Sequence, residues 1–444
     1  MKKWYLSYIQ IIAVGFMLII LTGAVLLSLP AASRTGNYTP FIDSLFTAAS
    51  ATCVTGLVVY DTYTHWSFFG QAVILLLIQT GGLGFMSMAT LISMFLRRKI
   101  GLKERELMKE AVSSMYLGGI VRLTRHVLIG TLLCESIGAI LLALRFCPEM
   151  GLWQGIYYGI FHSVSAFCNA GFDLMGRFGQ FSSLTRYSGD ILVNLVIMSL
   201  IVIGGIGFFV WEDIHKHKLS FHSYQLHTKI VLTTTAALII VPSILFFLME
   251  RGYALKEMDT LQAVIASVFQ SVTPRTAGFN TVDIASLRSG TLLLTIILMM
   301  IGGSSGSTAG GIKTTTLAVL IMSAISVIKG RDFLRAYERK LEGNALRRAC
   351  AVFLTYLAVA MSATLILSML QDFTMEQLLF EVFSAMSTVG LTTGITPALS
   401  AASKLQIALL MYFGRVGVLS IALAFTKTPE NIPVEYPCEK IMIG

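Results

Sequence analysis

The chain has 444 residues, of which 55% are hydrophobic and only 13% are charged. Soluble domains carry about 25% charged residues, so this composition excludes an ordinary soluble globular protein. The formal charge of +9 does not indicate nucleic-acid binding, because the basic residues are distributed loop by loop and form no single patch. Six cysteines without metal-ligand spacing give no sign of a zinc site or a disulfide framework.

Long apolar stretches recur along the chain, each close to the ~20 residues that cross a hydrocarbon core. We predict membrane-spanning helices at 5–28, 71–95, 127–146, 190–211, 228–248, 289–327 (interrupted), 349–370 and 404–426. Of the lysines and arginines, 22 fall in loops on one side, eight on the other and three at membrane depth. The positive-inside rule places the more basic side, with both termini, in the cytoplasm.

Within each pair of spans lies a short segment that is rich in Phe, Ser and Ala and ends at a glycine. The four glycines are 107 to 115 residues apart, and each segment of about 10–14 residues is too short to cross a membrane. We interpret the segments as re-entrant half-helices, whose irregular ends must line water or be buried in protein. Backbone carbonyls from four such turns around one axis can replace the water shell of a cation. The predicted ion-binding residues are Val54, Thr55, Gly56, Asn169, Ala170, Gly171, Thr276, Ala277, Gly278, Thr388, Val389 and Gly390.

This order of elements predicts an all-α membrane protein with four M1–pore-helix–M2 repeats in a pseudo-fourfold arrangement around one pore. M1 and M2 are the spans before and after each pore helix. The predicted repeats cover 1–100, 115–215, 228–330 and 349–428, and residues 429–444 form a cytoplasmic tail. Arg275, three residues before Gly278, is expected to brace the third turn against Glu381 of the fourth pore helix.

Each returning span carries a second glycine cluster; the clusters begin at Gly81, Gly204, Gly302 and Gly414. In the first two repeats we interpret the cluster as a site of close helix packing. The third repeat has five glycines between 302 and 311, which prevent a regular helix at a cost of about 1 kcal/mol each. We interpret this run as a gating loop below the turns. The fourth repeat carries Arg415 instead of a second glycine, and an arginine at this depth must face the pore or a buried partner.

The predicted gate combines this loop with two basic side chains. Its members are Gly302, Gly303, Ser304, Ser305, Gly306, Ser307, Thr308, Ala309, Gly310, Gly311, Lys313 and Arg415. Arg415 either plugs the pathway electrostatically or satisfies loop carbonyls, and Lys313 either approaches the pore or lies at the inner interface. The run has a superficial likeness to a nucleotide-binding loop, but its lysine is displaced and a membrane helix precedes it, which argues against nucleotide binding.

The segments Thr-Cys-Val-Thr-Gly56, Phe-Cys-Asn-Ala-Gly171, Arg-Thr-Ala-Gly278 and Ser-Thr-Val-Gly390 resemble the four filter segments of the Ktr/Trk/HKT superfamily of potassium transporters. The run at 302–313 and the tail at 436–444 are similar to those of its KtrB-type membrane subunits. This resemblance covers essentially the whole chain. It implies uptake of K⁺, often dependent on Na⁺, with no cofactor in the chain itself.

The resemblance also implies partners and a location. It implies a homodimer with one pore per subunit in the bacterial plasma (inner) membrane, in contact with membrane lipid and without a nucleic-acid partner. A cytosolic nucleotide-binding ring of RCK type would regulate the dimer. In this family a glycine in all four filters goes with potassium preference and a serine in the first with sodium; here the first is Gly56.

Other functions stay open at this point. A coupled secondary transporter with a different ion preference could also contain broken helices, although its repeats are usually inverted and twofold. A membrane-embedded enzyme lacks support, since no cluster of His, Asp and Glu has ligand spacing at membrane depth. The membrane part of an ion-motive ATPase would need carboxylates in the spans beyond Glu135. We therefore predict a transporter and not an enzyme.

Overall fold

The computed structural model describes residues 8–84, 106, 120–218, 220–331, 333–417 and 439. The helices of its first half are α1 (Tyr8–Ser28), α2 (Phe41–Cys53), α3 (Thr62–His65), α4 (Phe68–Leu83), α5 (Ile120–Met150), α6 (Leu152–Phe167), α7 (Ile191–Gly205) and α8 (Phe208–His217). Those of its second half are α9 (Leu226–Glu250), α10 (Thr260–Val272), α11 (Ser289–Met300), α12 (Thr314–Ile328), α13 (Asn344–Leu370), α14 (Met375–Met386) and α15 (Ala401–Val416). Between α12 and α13, β1 (Arg335–Ala336) and β2 (Arg339–Lys340) form an antiparallel hairpin.

The helices form four sets, each with a long helix, a short helix and a returning helix. The long helices α1, α5, α9 and α13 have the length and apolar composition to cross a membrane. The short helices α2, α6, α10 and α14 have 12 to 16 residues, and each ends just before one of the predicted glycine turns. This arrangement confirms the predicted fold of M1–pore-helix–M2 repeats in a multi-pass membrane protein.

The returning helices are shorter than the sequence suggested. We expected one helix over 190–211, but α7 and α8 meet at a bend of 96°. Gly207, between them, has a φ angle of +96°, which glycine adopts without the strain that a side chain would cause. The expectation of a continuous fourth span is therefore wrong. The interruption expected in the sixth span is present, since α11 ends at Met300 and α12 begins at Thr314.

In the part of the chain that the structure describes, four helices qualify as single spans, or five if the bent pair counts as one. The ends of the predicted spans 71–95 and 404–426 lie outside the described residues, as does nearly all of the tail 429–444. The predicted limits of the repeats remain predictions.

The short helices occupy the centre of the protein. Each buries a phenylalanine nine or ten residues before the glycine of its turn, and all four are at most 1% exposed: Phe46, Phe161, Phe269 and Phe380. They belong to one continuous hydrophobic core. The long helices instead expose large apolar side chains such as Leu132 and Met369, as expected for surfaces that contact lipid. The long helices thus separate the glycine turns from the surrounding membrane.

Candidate functional site

The four glycine turns meet in one closed ring. A Cβ atom added to any of the four glycines would come within 2.7 Å of the carbonyl oxygen that precedes the glycine of another turn. The pairs are Gly56 with Ala170 (2.6 Å), Gly171 with Ala277 (2.7 Å), Gly278 with Val389 (2.6 Å) and Gly390 with Thr55. The last pair closes the ring, because the fourth turn approaches the first. The structure therefore brings together the residues predicted to bind the ion; we call the four glycines the glycine ring.

All four turns share one backbone conformation. In each turn the glycine and the residue two positions before it have positive φ angles. The residues other than glycine are Val54 (59°), Asn169 (59°), Thr276 (71°) and Thr388 (54°). Such a conformation costs of order 1–3 kcal/mol for a residue with a side chain, and it persists only where the surrounding structure imposes it. Because the same strain recurs in all four turns, we infer that the required positions of the carbonyl oxygens, and not the backbone preference of each residue, determine the turn conformation.

A hydroxyl group holds each turn against the end of its short helix. Two hydroxyl oxygens accept a hydrogen bond from the glycine N–H group: Ser50 Oγ from Gly56 (3.1 Å) and Ser384 Oγ from Gly390 (3.1 Å). Two hydroxyls donate to the carbonyl oxygen of the residue after the glycine: Ser165 to Phe172 (2.7 Å) and Thr273 to Phe279 (2.5 Å). We did not predict these residues, although a Ser or Thr recurs five or six positions before each glycine and could have identified them.

Replacing Ser50 with alanine is expected to destabilise the protein by about 1–3 kcal/mol, because the buried N–H group of Gly56 loses its acceptor. The measurement is the midpoint of thermal unfolding of the purified, detergent-solubilised protein. Ser44→Ala is the matched control: Ser44 lies on the same helix and is fully buried, but its hydroxyl has no hydrogen-bond partner. Equal midpoints for the two variants would contradict the role of Ser50.

The glycine clusters of the returning helices allow these helices to touch the turns. A Cβ atom on the first glycine would overlap a carbonyl oxygen four residues before the ring glycine. This holds for Gly81 with Thr52, Gly204 with Phe167 and Gly414 with Met386. The geometry agrees with close packing in the first two repeats and extends it to the fourth.

The loop 302–313 is held against the second repeat. The N–H group of Ser304 donates to the carbonyl oxygen of Gly205 at 2.9 Å. In return, the N–H group of Phe208, just after the bend, donates to the carbonyl oxygen of Gly306 at 2.8 Å. The hydroxyl of Thr308 donates to the last carbonyl of α6 at 3.3 Å. The loop thus fills the space that the bend between α7 and α8 leaves beside the turns.

Arg415 connects this loop with the first repeat. Its guanidinium donates hydrogen bonds to the carbonyl oxygens of Thr308 in the loop, of Gly81, and of Gly82 at 2.9 Å. It forms no ion pair with a carboxylate in the described part of the chain. Lys313 donates from Nζ to the carbonyl oxygen of Ala309 at 2.7 Å, inside the same loop. The predicted gate residues are therefore brought into one region, where a cationic group bridges the loop and α4.

The expected pair of Arg275 and Glu381 is not formed. Arg275 is 5% exposed and donates to the hydroxyl of Thr235 on α9 at 3.4 Å. Glu381, which is fully buried, accepts from the hydroxyls of Thr392 at 2.8 Å and Thr396 at 2.5 Å. The two threonines satisfy the carboxylate locally, so it is not available to the arginine of the preceding repeat.

A cavity of about 70 Å³ borders the glycine ring on the side of the loops that follow the turns. Besides the four glycines, its walls include two carboxylates, Asp61 and Asp173. Asp61 accepts hydrogen bonds from the N–H groups of Tyr63 (3.1 Å) and Thr64 (2.8 Å). Burial, together with the neighbouring charge of Asp61, raises the pKa of Asp173 to about 7. The mouth of the ring is thus an acidic, small and partly enclosed space.

Comparisons with known proteins agree with this architecture. Residues 9–435 match the sequence profile of TrkH, described as a cation transport protein. The chain is 42% identical to the Ktr system potassium uptake protein B of Bacillus subtilis, over 98% of this chain and 96% of that protein. It is 41% identical to the potassium/sodium uptake protein NtpJ of Enterococcus hirae, over 99% of this chain and 98% of the relative. The crystal structure of the potassium transporter TrkH from Vibrio parahaemolyticus superimposes with a TM-score of 0.74 at 17% identity, covering 96% of this chain and 86% of the other.

Proposed function

Because the chain belongs to the TrkH family of cation transport proteins, which are not enzymes, we propose that it takes up K⁺ through the glycine ring. The closed ring of four turns from one chain is the observation that carries this proposal. Carbonyl oxygens on four sides can replace the hydration shell of a cation. Relatives described as potassium uptake and potassium/sodium uptake proteins support K⁺ as the transported ion, with Na⁺ as a second ion.

The surroundings of the ring favour a cation. Each of the four short helices ends at a turn, so the partial negative charge of four helix C-termini points toward the ring. Asp61 adds negative charge at the outer mouth, which raises the local concentration of cations. Asp173 adds to this charge as the pH rises through its pKa, which burial raises to about 7. We propose that K⁺ loses its water here and is bound by the carbonyl oxygens of the twelve predicted filter residues.

We further propose that the loop 302–313, with Lys313 and Arg415, gates this pathway. The Arg415 guanidinium donates hydrogen bonds both to the loop and to α4, and it thereby holds the loop to the first repeat. Release of these bonds would let the loop move away and open the pathway. Of the two roles considered for Arg415, its bonds to one loop carbonyl and to two carbonyls of α4 support a structural role in holding the loop.

A cytosolic partner would supply the force for this movement. We propose that a nucleotide-binding ring of RCK type docks on the inner surface of a homodimer in the bacterial plasma membrane. The hairpin β1–β2 carries Arg335, Arg339 and Lys340. It is fastened to the segment before α9, because the rings of Tyr337 and Phe221 pack 6.0 Å apart, centroid to centroid. This basic hairpin is our candidate docking surface, on the cytoplasmic side with both termini.

The decisive experiment is rescue of a potassium-uptake-deficient bacterium at low external K⁺, with and without a regulatory ring protein. Uptake that follows the K⁺ gradient alone would support a pore. Uptake that requires a second ion gradient would favour the alternative, a coupled secondary cation transporter. The absence of K⁺ uptake in the presence of the ring protein would overturn the proposal.

Gly56→Ser is expected to reduce the preference for K⁺ over Na⁺ about tenfold. The added side chain would approach the carbonyl oxygen of Ala170, and it would occupy a backbone with a φ angle of +95°. Once the Ala170 carbonyl oxygen is displaced, its distance from the bound ion no longer favours K⁺ over Na⁺. The measurement is the ratio of K⁺ to Na⁺ uptake in rescued cells. Gly36→Ser is the control, because Gly36 also has a positive φ angle but has open space around it; an unchanged ratio in Gly56→Ser would refute the filter assignment.

A further inference from the structure

The loop after the second turn, residues 172–190, passes over the outer mouth of the glycine ring; we call it the outer loop. Phe181, at its middle, lines the cavity of about 70 Å³ beside the ring. Phe181 also lines a second cavity of about 460 Å³ farther out, between Tyr60, His65 and Lys404. Asp61 is the other residue that borders both spaces. The two cavities therefore adjoin at Asp61 and Phe181.

Asp61 fixes the position of Phe181. The N–H group of Phe181 donates to Asp61 Oδ2 at 3.0 Å, while Asp61 Oδ1 accepts the two N–H groups at the start of α3. Gly176 of the outer loop packs so closely that an added Cβ would overlap the Asp61 carboxylate. One carboxylate thus joins the first repeat to the outer loop by hydrogen bonds and by close contact.

A second anchor holds the far side of the outer loop. The N–H group of Leu184 donates to the carbonyl oxygen of Asn280 at 3.0 Å, and the N–H group of Asn280 donates to Ser183 Oγ at 3.3 Å. Asn280 follows the third turn by two residues and lines the inner cavity. The outer loop is therefore tied to the first and third repeats, on both sides of the mouth.

Phe181 itself has an unusual placement. Its φ angle is +58°, in the left-handed region that residues with a side chain rarely adopt, and its side chain is 47% exposed. Phe172 in the same loop is 1% exposed and belongs to the core. An aromatic ring that is left out of the core on a strained backbone needs a fixed surrounding, which the two anchors provide.

The two cavities that meet at Phe181 differ in size, and this difference affects how a hydrated ion can approach the glycine ring. A space of about 70 Å³ holds only a few water molecules, so an ion must lose part of its water shell before it reaches the ring. The outer cavity is several times larger and accepts a hydrated cation. The step between them lies at Phe181.

We propose that Phe181, positioned by Asp61, sets the width of the outer route to the glycine ring and excludes bulky cations before they reach the carbonyl oxygens. Phe181 acts as a specificity-determining residue, and Asp61 acts as a positioning residue through its bond to the Phe181 N–H group. The inference rests on the proposed function, since it assumes that ions approach the ring from this side.

A thiol reporter tests the proposal without requiring transport. Val58 lines the inner cavity but not the outer one, so Val58→Cys places a thiol in the inner cavity. The measurement is the rate at which the bulky cationic reagent trimethylammonium-ethyl methanethiosulfonate, added outside, modifies this thiol in the full-length protein in membranes. We expect Phe181→Ala to raise the rate about tenfold.

Phe178→Ala is the matched control: Phe178 stacks on Arg186 in the same loop and lines neither cavity. Equal rates with and without Phe181→Ala would overturn the proposal.

Asparagine substitutions separate position from charge. In Asp61→Asn the amide oxygen can still accept the N–H groups of Tyr63 and Thr64, but the amide NH₂ faces the Phe181 N–H group, so two donors oppose each other. We expect the reporter rate to rise as in Phe181→Ala. Asp173→Asn removes a carboxyl charge from the same cavity but keeps an amide oxygen that can accept from the Met175 N–H group and the Ser183 hydroxyl. We expect no rise in the reporter rate at pH 8, above the pKa of about 7 to which burial raises Asp173. Equal changes in both variants would indicate a purely electrostatic effect and would contradict the role of Asp61.

The outcomes for the reporter and for uptake are independent. If the chain carried no K⁺, the rescue experiment would fail while the reporter rates still followed Phe181. If Phe181 did not narrow the route, the reporter rates would be equal while rescue succeeded.

Discussion

Gly390→Ala should reduce K⁺ uptake about a hundredfold, whereas Gly394→Ala should reduce it less than about threefold. The added methyl group at Gly390 would overlap the carbonyl oxygen of Thr55 and lie 2.9 Å from the Cα atom of Gly56. The fourth turn must then move away from the first, and the ring opens at the point where it closes. A loss of about 3 kcal/mol in ion binding at the barrier corresponds to this factor.

Gly394 is a well-matched control because its backbone is as unusual as that of Gly390. The φ angles are +95° and +92°, so alanine is strained to a similar degree at both positions. Nothing lies within 4 Å of a Cβ at Gly394. Uptake of ⁸⁶Rb⁺ or K⁺ at equal amounts of protein in the membrane is the measurement. Similar losses in both variants would mean that general strain, and not the ring, is responsible.

Arg415→Gln should raise K⁺ flux about tenfold when the cytosolic regulatory protein of RCK type is absent. The substitution removes charge-assisted hydrogen bonds to three carbonyl oxygens, each contributing about 1.5–3 kcal/mol, and so releases the loop 302–313 from the first repeat. Partial deletion of the loop should raise flux in the same direction. The measurement is flux into proteoliposomes driven by a K⁺ gradient alone.

Arg415→Lys distinguishes the two roles of the arginine. Lysine keeps the positive charge but cannot reproduce the planar fork of donors that reaches separate carbonyls. We expect Arg415→Lys to raise K⁺ flux as Arg415→Gln does, since the hydrogen bonds that hold the loop to the first repeat are lost. Retention of low flux in Arg415→Lys would instead favour an electrostatic plug. Arg122→Gln, an exposed position at the start of α5, serves as the control and should leave flux unchanged.

The central architecture could be predicted because it depends on a repeated pattern. A glycine after a short amphiphilic helix recurs four times, and the density of glycine at 302–311 is incompatible with a helix. The strain at Val54 and Thr388 could not be predicted, because β-branched residues are poor candidates for left-handed backbone. There the requirements of the ring override local preference.

The bend at Gly207 and the partner of Arg275 were missed for a different reason. A glycine cluster in a membrane helix is compatible with close packing or with a break in the helix. Between α7 and α8 the helix is broken where loop 302–313 packs against it, and this contact comes from another repeat. Arg275 was expected to pair with Glu381 of the fourth short helix, but the Glu381 carboxylate already accepts hydrogen bonds from two threonines. Both errors concern contacts between repeats, which a single repeat's sequence does not reveal.

The closure of the ring within one polypeptide has a genetic consequence. In a channel assembled from four identical chains, one altered allele enters most assemblies and a substitution is present up to four times. Here each copy of the chain holds all four turns, as the approach of Gly390 to Thr55 requires. An altered turn therefore changes one quarter of the oxygen ligands, the four positions can diverge separately, and a defective allele leaves the rings of normal copies intact.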